Sequence, residues 1–175
     1  IIIEYKHMNT KNMHKNKDGI YIYNEEAYRG IKKACEIASK TLDMIGNYVK
    51  SGATTEELNK KCHDFILSHN SVPATLGYRG YPKSCCISLN HVVCHGIPSD
   101  KKLKNGDILN IDVTCILDGW YGDTSRMFTV GNIGLKAKRL IELTHDALFL
   151  AIKNVTPGKT FGDLGAIIQE YVEKN

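Results

Sequence analysis

The chain has 175 residues, of which 42% are hydrophobic and 24% charged. This length and composition predict one globular domain and exclude a collagen-like fibre or a chain that is disordered throughout. The net charge of +4 is too small and dispersed to predict sequence-specific nucleic-acid binding, and no apolar run approaches the ~18 residues of a membrane span.

The first 19 residues show no sustained hydrophobic period and are rich in Asn, Lys and Met. We interpret residues 1–19 as a flexible N-terminal tail or a processing remnant, and place the folded domain over residues 20–175. An organellar transit peptide is an alternative, although Glu4 and Asp18 are acidic and the stretch has no arginine.

Two amphipathic helices are predicted next. Asn24 is a candidate N-cap with two glutamates behind it, and apolar residues then recur every three or four positions until Gly46. The segment from Thr54 to Glu57 has the form of a capping box and predicts the start of a second helix. The expected buried stripes are Ala27, Ile31, Ala34, Ala38, Leu42 and Ile45, followed by Leu58, Cys62, Phe65 and Ile66.

Residues 73–131 change to turn residues and short β-rich runs, after which a helical pattern returns. The segment 49–66 also aligns with 155–172 at an offset of 106, with Val, Gly, Thr and Leu recurring at matching places. Chance similarity between capped helices is one explanation, and a duplicated α+β unit is the other. With duplication, the strands of the second unit should begin after Asn175, so we expect a truncated protein with exposed, aggregation-prone edges.

The six cysteines, Cys35, Cys62, Cys85, Cys86, Cys94 and Cys115, include no Cys-x-x-Cys pair, which argues against a structural zinc site. A chain of this size needs no disulfide framework. We expect reduced, mostly buried thiols, typical of a cytoplasmic protein, with an organelle as the alternative.

Two β-rich runs flank Asp118-Gly119 within 106–131, which predicts a β-hairpin. If Leu117 faces Trp120, Asp112 and Asp123 fall on the polar face as diagonal neighbours, and a bulge at Gly122 could aim them closer together. Two aspartates on one strand face are either solvated or hold a divalent cation between them. A cation there would activate water and polarise a carbonyl.

A second candidate region is the loop and strand-like run that ends in His95-Gly96-Ile97-Pro98. At the end of such a strand, His95 could donate a hydrogen bond to a substrate amide, although a packed or exposed histidine is equally compatible. Tyr78, Tyr81, Cys86 and Cys94 could line an apolar pocket or belong to the core. The motifs of zincins, serine hydrolases and nucleotide-binding loops are absent from the sequence.

The stretch from GYRGYPKS through NHVVCHGIP to NIDVT and DGWYGDTSRMF resembles the N-terminal half of type I methionine aminopeptidases. The resemblance implies the α+β pita-bread fold, an internal pseudo-twofold duplication whose second half is incomplete here. It also implies two divalent metal ions (Co, Mn, Fe or Zn), with Asp112 and Asp123 as ligands, His95 as the catalytic residue that contacts substrate, and Tyr78, Tyr81, Cys86 and Cys94 in the methionine pocket.

The same resemblance implies that the protein removes N-terminal methionine from nascent polypeptides as a monomer, with the ribosome as a candidate partner. One histidine and two glutamate ligands of the family lie beyond Asn175, so we expect the chain by itself to be inactive or nearly so. A non-catalytic pita-bread binding protein and a proline-specific peptidase of the same fold are the alternatives.

Overall fold

The computed structural model describes residues 13–175. Within this range, the elements in chain order are β1 (His14–Lys15), β2 (Tyr21–Ile22), α1 (Glu25–Gly46), α2 (Thr55–Ser68), β3 (Val72–Pro73), a 3₁₀ turn (Tyr78–Gly80), β4 (Cys86–Leu89), β5 (Ile108–Leu117), β6 (Trp120–Thr129), α3 (Leu135–Lys153) and α4 (Phe161–Lys174). No helix in this range is both long and apolar enough to cross a membrane.

The described residues separate into two compact units, the first ending at Asn132 and the second comprising Ile133–Asn175. The first contains an antiparallel sheet in which β5 pairs along its whole length with β6. The opposite edge of β5 pairs with β4 near its beginning and with β3 near its end. Every pair in this sheet is antiparallel. Because β3, β4 and β6 all pair with β5, β5 is the central strand of the sheet.

The core of the first unit lies between the sheet and the helices α1 and α2. Leu42, Ile45 and Leu58 from the helices pack with Ile111 and Val113 from β5, and all five are almost fully buried. Alternate residues of β5 are buried, as expected for a strand with one face on a core. The opposite face of β5 is thereby left available for polar side chains.

The two helix pairs repeat the same local chemistry. Thr54 and Glu57 form a complete capping box at the start of α2, and Thr160 and Asp163 form one at the start of α4. The preceding turns contain Gly52 and Gly158 with nearly identical φ angles of 90° and 91°. The Asn24 cap is also present, since its side chain accepts a hydrogen bond from the Ala27 amide.

The described residues before α1 include a pair of short strands. Residues 14–15 pair with residues 21–22, and the side chain of Asn16 accepts hydrogen bonds from the Asp18 and Ile20 amides in the connecting turn. Within the stretch predicted as a tail, the Asn16 turn closes a short hairpin of exposed residues. Residues 1–12 of that prediction lie outside the described range.

Candidate metal and substrate site

The β5–β6 hairpin has the predicted register. Leu117 pairs with Trp120, and the two turn residues between them, Asp118 and Gly119, have φ angles of 52° and 85°. Positive φ at both turn positions is the geometry of the two-residue hairpin turns that match strand twist. The same register continues without interruption to the far end of the hairpin.

This register brings the predicted acidic residues together. Asp112 pairs with Ser125 and Thr114 pairs with Asp123, so both aspartates lie diagonally on the face opposite the core. The Thr114 hydroxyl donates a 2.9 Å hydrogen bond to Asp123 Oδ1, which orients that carboxylate. Asp112 is half-buried and Asp123 is exposed.

The electrostatics also reflect this proximity. Partial burial raises the pKa of Asp112, and the nearby Asp123 charge raises it further, while His95 acts in the opposite direction. Two carboxylates that repel each other in this way form a locally negative site, which favours a bound cation. If both carboxylates were only solvated, water alone would have to offset their repulsion.

The bulge predicted at Gly122 is absent, because Gly122 pairs regularly with Cys115. The glycine has a different role. A Cβ atom there would lie 2.2 Å from backbone atoms of both Ala34 and Cys35, so the missing side chain allows α1 to lie directly against β6. Regular pairing is sufficient to place both aspartates on one face.

A cavity of about 800 Å³ opens over this face of the hairpin. It collects most of the residues singled out in the sequence: Tyr78, Tyr81, Cys86, His95, Asp112 and Asp123 all line it. A cavity of this volume lies within the range of small-molecule and peptide sites. The two acidic side chains and the histidine therefore share one solvent-accessible space.

His95 reaches the cavity from a different local structure than predicted. The strand ends at Leu89, and the chain then turns through Asn90, which has a φ of 53°. His95 lies in an irregular segment with a φ of 55°, so it does not end a strand as the sequence suggested. The strand prediction failed because the apolar run after Asn90 does not pair in the sheet.

The environment of the cavity favours the neutral forms of Tyr81 and Cys86. Burial, reinforced by Cys86, raises the pKa of Tyr81 far above its ordinary value. The Tyr81 hydroxyl donates to the carbonyl of Gly96 at 2.9 Å and lies 3.2 Å from the carbonyl of Cys85. Burial also raises the pKa of Cys86. The Tyr81 and Cys86 side chains are consequently uncharged near neutral pH, and Arg79 is the basic residue that lines the same cavity.

Cys94 is exposed and is not among the residues that line the cavity, although it is close enough to Cys86 to contribute to the raised pKa of that thiol. The thiols are otherwise as expected: all six are free, and four of them are buried. Sequence analysis missed Tyr121 and Ile97, which do line the cavity. The alternation along β6 could have identified Tyr121, because it lies two residues before Asp123 on the same strand face.

The donor set fits part of a metal centre. Carboxylate oxygens are suitable ligands for divalent cations, and the Asp112–Asp123 pair supplies them on one rigid hairpin. Within residues 13–175, no group of three or more His, Cys, Asp or Glu side chains is arranged to hold a metal ion. The described part of the chain thus offers two ligands of the larger set that tight binding requires.

Comparisons with known proteins identify the family of the chain. The sequence profile described as metallopeptidase family M24 matches residues 29–175. The methionine aminopeptidase of Rickettsia prowazekii is 56% identical over 156 residues, which are 89% of this chain and 60% of that protein. The chain therefore spans about 60% of the length of this curated relative.

Solved structures give the same result for the fold. The crystal structure of the Rickettsia prowazekii methionine aminopeptidase matches with a TM-score of 0.86 and 57% identity, over 87% of this chain and 62% of that one. The prolidase from Pyrococcus furiosus matches with a TM-score of 0.75 and 26% identity, over 87% and 44%. The predicted α+β pita-bread architecture is confirmed.

Proposed function

Because the chain belongs to metallopeptidase family M24, we propose that it supplies the metal-binding hairpin of a methionine aminopeptidase. The supporting observation is that Asp112, Asp123 and His95 share one cavity, with both aspartates on the same strand face. The reaction is hydrolysis of the first peptide bond of a nascent polypeptide, which releases its N-terminal methionine.

Each residue has a distinct role in this proposal. Asp112 and Asp123 hold divalent metal, which supplies an activated water and polarises the scissile carbonyl when bound. Thr114 fixes the orientation of the Asp123 carboxylate through its hydrogen bond. His95 donates to the substrate backbone near the scissile bond, which aligns that bond with the carboxylate pair.

The cavity wall provides specificity. Tyr78, Tyr81 and Cys86 present aromatic and sulfur surface to an unbranched, polarisable methionine side chain. Since the phenol of Tyr81 and the thiol of Cys86 remain protonated, these two side chains carry no charge that would favour a basic or acidic side chain. We do not assign Cys94 to the pocket, because it lies outside the cavity lining.

We propose two metal ions, drawn from Mn, Co, Fe or Zn, because the two neighbouring aspartates would supply oxygen ligands that suit these cations. Two aspartates alone bind metal weakly, and the described residues supply no group of three or more ligand side chains. The chain by itself should therefore bind metal weakly and turn over little substrate.

The partners and compartment follow from the same activity. Nascent polypeptides in the cytoplasm are the proposed substrates, in keeping with six free thiols, which are typical of proteins in a reducing compartment. Lys101, Lys102 and Lys104 are exposed on one loop and form a candidate contact with ribosomal RNA. Neutralising all three should reduce co-sedimentation with ribosomes, and unchanged co-sedimentation would argue against this contact.

The central test is a chimera in which residues 20–175 replace the corresponding part of the Rickettsia prowazekii methionine aminopeptidase. Release of methionine from Met-Ala-Ser in the presence of Mn²⁺ or Co²⁺ is measured. The chimera should be active, and Asp112→Asn or Asp123→Asn should each reduce kcat/KM by at least about 100-fold. Asp118→Asn, in the turn of the same hairpin, is the matched control and should retain activity.

The outcomes separate the candidates. Full activity in the Asp112→Asn and Asp123→Asn chimeras would refute the assignment of both aspartates. An inactive but folded chimera that binds peptides without cleaving them would favour a binding protein of the same fold. Hydrolysis of an Xaa-Pro dipeptide, offered as a second substrate, without release of methionine from Met-Ala-Ser would indicate a proline-specific peptidase.

A further inference from the structure

The placement of His95 depends on its backbone. The His95 side chain is exposed, so no packed core fixes the imidazole. Its φ of 55° lies in the left-handed region, which a residue with a Cβ occupies at some cost in energy. Neighbouring interactions must therefore hold the segment in this conformation.

The next residue supplies those interactions. The Gly96 amide donates a 3.1 Å hydrogen bond to Ser88 Oγ. The Gly96 carbonyl accepts from the Ile87 amide at 2.9 Å and from the Tyr81 hydroxyl at 2.9 Å. Both polar groups of the Gly96 backbone are thus bonded to β4 or to the loop that precedes it.

Gly96 also lies unusually close to β4. A Cβ atom at this position would be 2.2 Å from the Ile87 carbonyl oxygen and 2.8 Å from Ser88 Cα, both of which are backbone atoms. Only glycine permits this approach without moving β4. The segment after His95 is consequently packed directly against the backbone of β4.

The same strand is in register with the acidic residue of the site. In the sheet, Cys86 pairs with Asp112 and Ser88 pairs with Asn110. Ser88 is 4% exposed, so its hydroxyl is held by packing within the sheet. Because β4 and β5 are paired in this register, a group that is hydrogen-bonded to Ser88 has a fixed position relative to Asp112.

We propose that Tyr81 and Ser88 are positioning residues that clamp Gly96 onto β4 and thereby hold His95 beside the Asp112–Asp123 pair. This inference rests on the proposed function, because it concerns where His95 stands relative to the carboxylates. Neither Tyr81 nor Ser88 takes part in the chemical step. Each acts through the backbone of Gly96, so that the histidine is already oriented before substrate arrives.

The test uses the 175-residue chain and amide hydrogen exchange followed by NMR. Tyr81→Phe removes the hydroxyl donor, and Ser88→Ala removes the acceptor of the Gly96 amide. In both variants, exchange at Gly96 should accelerate about tenfold, the effect of losing one hydrogen bond of about 1.4 kcal/mol. The order parameter of the His95 amide should fall from about 0.85 toward 0.6.

Tyr121→Phe is the matched control. Tyr121 lines the same cavity, and among the described residues the structure gives its hydroxyl no hydrogen bond. Exchange at Gly96 should be unchanged in this variant. Urea unfolding, followed by Trp120 fluorescence, reports whether a variant has lost global stability, and a clamp requires the change at His95 and Gly96 to exceed that global loss.

A titration of each variant with Mn²⁺ distinguishes the two proposals. Broadening of the Ser125 amide reports binding at the carboxylate pair, and it should be the same in wild type, Tyr81→Phe and Ser88→Ala. Unchanged exchange and order parameters in both clamp variants would overturn the clamp even if Mn²⁺ binds. Absence of Mn²⁺ broadening in wild type would count against the metal site, whereas the exchange data would still decide the clamp.

Discussion

The substitution Gly122→Ala is the most direct test of how closely α1 packs against the sheet. An added Cβ would lie 2.2 Å from Ala34 C and Cys35 N, whereas carbon atoms in contact are about 3.5 Å apart. The helix and strand must therefore separate by about 1 Å. Since backbone rather than a flexible side chain has to move, we expect the upper end of overpacking costs, about 3 kcal/mol.

The measurement is urea unfolding followed by Trp120, the single tryptophan, which is 7% exposed on β6. With a slope of about 2 kcal/mol per M, the midpoint should fall by about 1.5 M. Gly165→Ala is the control, because an added Cβ there meets nothing within 4 Å. A midpoint shift under roughly 0.3 M for Gly122→Ala would refute the close seating of α1 on β6.

Three further predictions concern thiols, pH and burial. The exposed Cys94 should react with a thiol reagent in the native chain, while Cys115, whose pKa burial raises to about 12, should react only after unfolding. Capping hydrogen bonds lower the pKa of Glu57 in the folded chain. The stabilisation that ionised Glu57 gives to the fold should therefore be complete at a pH above the ordinary glutamate pKa, and should be lost as the pH falls through the lowered pKa. The difference in Tm between wild type and Glu57→Gln should therefore shrink on acidification. Leu42→Ala should cost about 2–5 kcal/mol and Leu148→Ala under about 0.5 kcal/mol in thermal unfolding, because Leu42 is 1% and Leu148 55% exposed.

Local signals in the sequence were sufficient for the hairpin and the helix starts. Asp118-Gly119 fixes the turn, and the period of two along each strand then assigns Asp112 and Asp123 to the same face. The capping pair of Thr54 and Glu57 marks its helix with equal clarity. These features depend on residues within a few positions of one another, so a single sequence contains the information.

The position of His95 could not be obtained in this way. It depends on Gly96, which is fastened to Ser88 and Tyr81, eight and fifteen residues away, through hydrogen bonds that leave no periodic pattern. The run after Asn90 has the composition of a strand, but the sheet offers it no regular partner. The same limitation applies to the close approach at Gly122, which the sequence suggested was a bulge.

The two helix pairs show where pattern and burial separate. Leu42 in α1 and Leu148 in α3 occupy equivalent places at the offset of 106, as do Cys62 in α2 and Ile168 in α4. The first member of each pair is buried, and the second is 55% or 38% exposed. An apolar stripe therefore predicts which face of a helix can be buried. The roughly 1.5–3 kcal/mol from burying a leucine is gained only where another element packs on that face, as β5 and β6 do on α1.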